Sequence, residues 1–239
     1  MSTLKANTVT PVTGNTDLTL IGSGTGDVII DGLTYPTADG SANQIIETNG
    51  SGGLSFVAKP TGGAWTLIGT QVASASASLT QTGLDSTYDS YAIAFSDMLP
   101  ATDSVQSYIR VGDSSGIDSG SSDYDHQSQH FLNTQVQVGV QDTSQIIMQP
   151  PAPGSDPIGN DSIGGMSGMF YIHQPGDSAG YVKIQGQMSY MSNAATQRPH
   201  GTIFFGCRRS AITLDRVQIL FSSGNIASGR MTVWGISHA

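Results

Sequence analysis

Four aspartates fall within a short glycine- and serine-rich stretch: Asp113, Asp118, Asp123 and Asp125. Clustered carboxylates are the raw material for a hard cation such as Ca²⁺, which takes about 6–8 oxygen ligands. The spacing is not that of an EF-hand loop and no bidentate Glu follows, so a solvated loop is the expectation. His126 and His130 stand beside these aspartates. On a strand they share a face about 13 Å apart, too far to hold one ion without bending, so no metal is expected. Glycoside hydrolysis needs two carboxylates at a defined separation, one with a raised pKa, and no apolar-flanked acidic pair stands out. There is no Gly-x-Ser-x-Gly, His-Glu-x-x-His or phosphate loop. Gly22-x-Gly24-x-Gly26 lacks a following helix and reads as turn chemistry. The chain is therefore expected to be no enzyme and to need no cofactor. The remaining chemical signal is aromatic: Tyr124, Tyr190 and Tyr88 lie beside Asn, Gln and Asp. Aromatic faces stack on the C–H faces of sugars while amides and carboxylates take the hydroxyls. The candidate ligand-binding set is Tyr124, Asp125, His126 and Tyr190.

The composition says what kind of scaffold must hold them. Charged residues are 11% of the 239, Glu occurs once (Glu47) and Lys three times, while Gly occurs 30 times. A helical protein would be rich in Glu, Lys, Arg and Leu, and a disordered one would combine low hydrophobicity with dense charge. What remains is a turn-rich, all-β chain. A net charge of −9 with scattered cations offers no footprint for nucleic acid. No apolar run reaches the length of a membrane span, and Met1-Ser2-Thr3-Leu4-Lys5 lacks the apolar stretch of a signal peptide. The single Cys207 reads as a small buried hydrophobe, and Arg208-Arg209 as a solvated strand end.

Residues 1–60 alternate short β-branched bits (7–10, 18–21, 28–30 and 44–47) with turns such as Asp31-Gly32, Asp39-Gly40 and Asn49-Gly50-Ser51-Gly52-Gly53. Strands so short, with so few large side chains, cannot close a core alone. Intertwining with identical chains is the expected remedy, and a threefold axis, giving a homotrimer, is the favoured arrangement. Lys59-Pro60-Thr61-Gly62-Gly63 reads as a hinge.

Tyr35-Pro36-Thr37-Ala38-Asp39-Gly40, followed by Gln44-Ile45-Ile46-Glu47-Thr48-Asn49-Gly50-Ser51-Gly52-Gly53-Leu54-Ser55-Phe56, resembles a segment that recurs in tail-fibre and related structural proteins of tailed bacteriophages. The stretch from Asn7 to Leu33 resembles the lead-in of such proteins. The resemblance implies a trimeric virion fibre or spike element, made in the host cytoplasm and attached to other virion proteins through this segment, with no catalysis.

Residues 61–239 carry the denser apolar pattern. Expected strands are 65–79, 88–98, 105–111, 135–140, 144–148, 168–173, 181–190, 202–207, 212–221 and 231–236, while 125–131 looks like a strand or irregular edge. Tyr91, Ile93 and Phe95 alternate onto one face, as do Val217, Ile219 and Phe221. Val182, Ile184 and Met188 face away from Lys183, Gln185 and Gln187. About ten short strands fit an antiparallel, jelly-roll-like β-sandwich. Pro150-Pro151-Ala152-Pro153 reads as a stiff excursion between strands. Tyr108-Ile109-Arg110-Val111-Gly112-Asp113 and the ending Met231-Thr232-Val233-Trp234-Gly235-Ile236 resemble strands of C-terminal β-sandwich domains of phage fibre and virion-surface proteins, with Trp234 expected in the core or a subunit interface. The sandwich is then expected to attach a host-surface glycan. A head-fibre or capsid decoration protein, and a small tail-spike enzyme degrading polysaccharide, stand as the alternatives.

Overall fold

The computed structural model describes residues 26–59, 64–131, 136–149, 156–177, 179–193 and 197–237. The strands expected at 7–10 and 18–21, most of the hinge and residues 150–155 of the proline-rich excursion lie outside them. Among the described residues there is no helix, and every strand pairing is antiparallel. The chain divides into two compact units, Met1–Thr61 and Gly62–Ala239.

In the first unit, β1 (Ile29–Ile30) pairs with β2 (Leu33–Thr34), and β3 (Gln44–Thr48) with β4 (Leu54–Ala58). Asp31 and Gly32 carry the first turn at φ 52° and 80°, the two left-handed positions that a type I′ hairpin demands. The Thr34 N–H donates to the Gly52 carbonyl at 2.7 Å and ties the two hairpins together. None of the described residues of this unit is buried. Ile29, Ile30, Leu33, Ile45 and Ile46 are exposed, which leaves hairpins of a size that is marginal in water.

The second unit is a two-sheet sandwich. Its strands are β5 (Trp65–Val72), β6 (Leu79–Thr82), β7 (Ser90–Pro100), β8 (Ser107–Asp113), β9 (Gly116–Ile117), β10 (Tyr124–Phe131), β11 (Val136–Thr143), β12 (Ile146–Ile147), β13 (Met166–His173), β14 (Lys183–Met191), β15 (Pro199–Arg208), β16 (Arg216–Phe221) and β17 (Ile226–Ile236). One sheet has eight strands in the order β11-β10-β15-β14-β13-β7-β17-β5. The other runs β12-β8-β16-β6, with β9 paired to β8. The expected strand 65–79 is in fact β5 and β6, one in each sheet, and 125–131 is the regular strand β10.

Alternation builds the core. Tyr91, Ile93, Phe95, Phe170, Ile172, Ile184, Met188 and Phe204 from the large sheet face Ile109, Val111, Ile146, Val217, Ile219 and Phe221 from the small one, all buried. The Tyr124 hydroxyl on β10 accepts the Val111 N–H of β8 at 2.9 Å, bridging the sheets. At the β17 bulge, Gly229 has φ +119° and a Cβ there would stand 2.6 Å from Met98 Cα, so only glycine fits.

Candidate functional site

The sequence-derived set comes together only in part: Asp125 and His126 border one hollow of the eight-stranded sheet, while Tyr124 and Tyr190 lie apart. Tyr124, His126, Ser128 and His130 occupy the inner face of β10 and are buried. The Tyr124 hydroxyl is taken up by the backbone of Val111 and lies 3.0 Å from the Asp118 carbonyl. Tyr190 is buried on β14, donating to the Asp156 carbonyl at 3.0 Å and stacked on His200 at 5.0 Å. Tyr124 pairs with Arg208 and Tyr190 with His200, at opposite ends of β15. Neither tyrosine presents a face to a sugar. This corrects the expectation of loop aromatics, and the physical reason is that both sit at inward positions of regular strands. Tyr88 is partly buried against Tyr91, with ring centroids 5.6 Å apart.

The acidic loop is also accounted for internally. Arg208 Nε donates to Asp118 at 2.8 Å, and its Nη2 stands 3.3 Å from Asp123. Arg209 reaches Asp125 at 3.5 Å and Asp142. Arg208 is only 11% exposed at its side chain, so the Arg208-Arg209 pair holds loop and strand together rather than marking a solvated strand end. Asp113 accepts the hydroxyl and N–H of Ser115, which keep its carboxyl below the usual range. Among the described residues no group of three or more His, Cys, Asp or Glu side chains converges as a metal site.

The surface that does gather chemistry is the outer face of the eight-stranded sheet, and β-register defines it. One row crosses every strand: Gly139, Gln127, Phe205, Gln185, Tyr171, Ala92, Trp234 and Leu67, each the cross-strand partner of the next. The flanking rows are Gln137, Gln129, Ile203, Gln187, Met169, Ala94 and Thr232 on one side. On the other run Asp125, Cys207, Lys183, His173 and Ser90. Phe205, Tyr171 and Trp234 stand two strands apart, about 10 Å from one to the next at the usual interstrand spacing.

Trp65 leans over this row from β5. Its ring lies 6.1 Å from Trp234 and meets Tyr171 edge-on at 6.3 Å, while Tyr171 stacks on His173 at 6.2 Å. Trp234 is thus half-buried on the outer face and not in the core, the first of the two places expected for it. Of the large apolar side chains that the second unit leaves exposed, Trp65, Leu67, Val72, Phe131 and Phe205 belong to this sheet's outer side. Trp65 and Leu67 stand together on β5 while Phe205 stands on β15, and exposed apolar side chains gathered on one face mark a candidate binding surface.

A hollow of about 750 Å³ opens at one end of the row, rimmed by Asp125, Gln127, Gln141, Lys183, Phe205 and Cys207. A second, of about 300 Å³, lies on the other side of Phe205 and Gln185, toward Tyr171 and Gln187. The two share Phe205 and Gln185 in their linings. Cys207 is half-buried here rather than inside the core, and burial pushes its thiol pKa up. His173 accepts or donates a 3.1 Å hydrogen bond at Nδ1 with Ser90 Oγ. Burial, helped by the neighbouring Lys183 ammonium, holds its pKa below the ordinary histidine value.

Sequence reasoning missed Trp65, Tyr171, Phe205 and the glutamines as a site. A signal for them exists: Met169-Phe170-Tyr171-Ile172 and Ile203-Phe204-Phe205 are apolar on both faces. A strand of an antiparallel sheet with one solvated face alternates apolar and polar. Comparison with family models, with curated proteins and with solved structures returns no match for the chain.

Proposed function

We propose that this chain is a non-enzymatic virion-surface protein of a tailed phage, fibre- or spike-like, that holds a host-surface glycan against the outer face of its eight-stranded sheet. The observation that carries the glycan is the row Phe205–Gln185–Tyr171–Trp234. The strand positions of these rings recur about every 10 Å, with Trp65 set 6.3 Å from Tyr171 and 6.1 Å from Trp234, an extended aromatic strip of the kind that suits an extended glycan. Uncharged amides lie between and beside them. Rings cover sugar C–H faces, and each amide both donates and accepts. Glutamine is cheap to desolvate compared with a charge, which suits a ligand made of hydroxyls. Asp125 of the flanking row is paired with Arg209, as is Asp142, which supports a face that binds rather than cuts.

In this reading the first unit joins sister copies, a homotrimer, and attaches to the particle. Its Ile29, Ile30, Leu33, Ile45 and Ile46 support that role, because all five stay exposed and no described residue of this unit is buried. Several copies on one stalk raise the effective concentration of weak sites on a repeating polymer. The test is binding of the labelled full chain to host cells in competition with purified surface polysaccharide. Staining that the polysaccharide displaces, and that Phe205→Ala weakens, is the expected result. Absence of staining would favour a capsid-bracing role, and release of reducing ends from the polysaccharide would favour the enzyme.

A further inference from the structure

The charges around the hollow narrow the class of sugar. Across the three rows of the outer face Lys183 is the one cation and Asp125 the one carboxylate. Asp125 is already compensated: Arg209 Nε stands 3.5 Å away, and its Oδ1 accepts the Asp142 N–H at 3.0 Å. Lys183 has no carboxylate partner among the described residues. Its Nζ donates to the neutral Gln174 Oε1 at 3.3 Å, leaving further N–H donors of the ammonium for a ligand. Lys183 is the cross-strand neighbour of both His173 and Cys207, and shares the hollow with Phe205 and Gln127.

We propose that this hollow seats the carboxylate of an acidic sugar, such as a uronic acid. The carboxylate accepts from Lys183 Nζ, the apolar face of the ring lies on Phe205, and hydroxyls meet Gln127 and Gln185. The inference rests on the glycan reading above and adds the charge of the unit bound. The net charge of −9 opposes such a ligand only weakly at contact range, because salt screens exposed charges beyond about 8 Å at physiological ionic strength. Contact with Lys183 then decides.

The experiment titrates the full chain with one oligosaccharide in two forms, the native uronate and its carboxyl-reduced counterpart. The wild-type chain should bind the acidic form roughly tenfold more tightly, the effect of one charge-assisted hydrogen bond at a partly exposed site. Lys183→Gln should abolish that preference and Lys183→Arg should keep it. Equal binding of the two forms by the wild type, or a preference that survives Lys183→Gln, overturns the acidic subsite and leaves the glycan reading standing. Failure of both forms to bind overturns both.

Discussion

Trp65 and Trp234 meet at a 55° tilt with ring centroids 6.1 Å apart, joining the first and last strands of the sandwich on its outer face. They are the two tryptophans of the chain. Their position turns a structural pair into a surface feature, because Trp65 also touches Tyr171 and keeps 44% of its area exposed. A core aromatic would not be left this way, and the arrangement makes the face both the proposed binding surface and its own spectroscopic reporter.

Trp65→Ala should weaken glycan binding several-fold while costing the fold about 1 kcal/mol, the size of an aromatic pair at a half-exposed site. Thermal melting and a glycan titration on the same sample check the two numbers together. A large loss of stability would mean that Trp65 is structural.

Phe204 and Phe205 are adjacent in sequence and opposite in role. Phe204 is fully buried among Phe170 and its neighbours, whereas Phe205 is 51% exposed in the lining of both hollows. Phe204→Ala should cost about 3–5 kcal/mol of stability. Phe205→Ala should cost less than about 1 kcal/mol and remove most of the binding. Urea denaturation separates them.

Acid should destabilise the sandwich through its buried histidines. Burial pushes His126 down to about 4, and neither ring nitrogen has a hydrogen-bond partner. Burial lowers the pKa of His130 and His200 in the same way. Above the ordinary histidine pKa both states are neutral there and His126 adds no pH dependence. As pH falls from about 6.5 toward 4, the unfolded chain takes up a proton that the folded one refuses, so stability drops, on the order of 3 kcal/mol for this residue. His126→Phe should flatten the stability curve between those pH values. An unchanged slope in urea melts would contradict the assignment.

Gly229→Ala should destabilise the fold by more than about 2 kcal/mol, since φ +119° is strained for any other residue and the added Cβ would strike Met98. The conservative change Gly120→Ala, at a loop position without left-handed φ, should cost markedly less. Thermal denaturation of the two variants gives the comparison.

Removing residues 1–61 should leave a folded monomer of the sandwich, because its core is internal to the second unit. The full chain should sediment as three copies. A full chain that is monomeric, or a truncated chain that keeps the same subunit number, would contradict the role given to the first unit.

The sandwich was legible wherever one face is aliphatic and the other polar. Tyr91, Ile93 and Phe95, or Val217, Ile219 and Phe221, announce their strands by alternation, and the structure buries them together. β10 was not legible as a regular strand, because its inward positions hold His126, Ser128 and His130 instead of aliphatics. That polar inner stripe is also why Tyr124 looked like a loop residue. The outer-face site escaped for the complementary reason. A tryptophan in a strand reads as core by its volume, and only the long-range register from β10 to β5 shows that Phe205, Tyr171 and Trp234 form one row. Cross-strand neighbours so distant in sequence leave no local pattern.

Tryptophan emission of the full chain during titration with fragments of host-surface polysaccharide shows whether the ligand sits on this face. A glycan on the Phe205–Trp234 row gives a saturable shift in intensity and wavelength that weakens sharply in Phe205→Ala, a variant whose own tryptophans are intact. Binding measured by calorimetry with no change in emission, or an emission change indifferent to Phe205→Ala, would place the ligand elsewhere and contradict the proposed binding face.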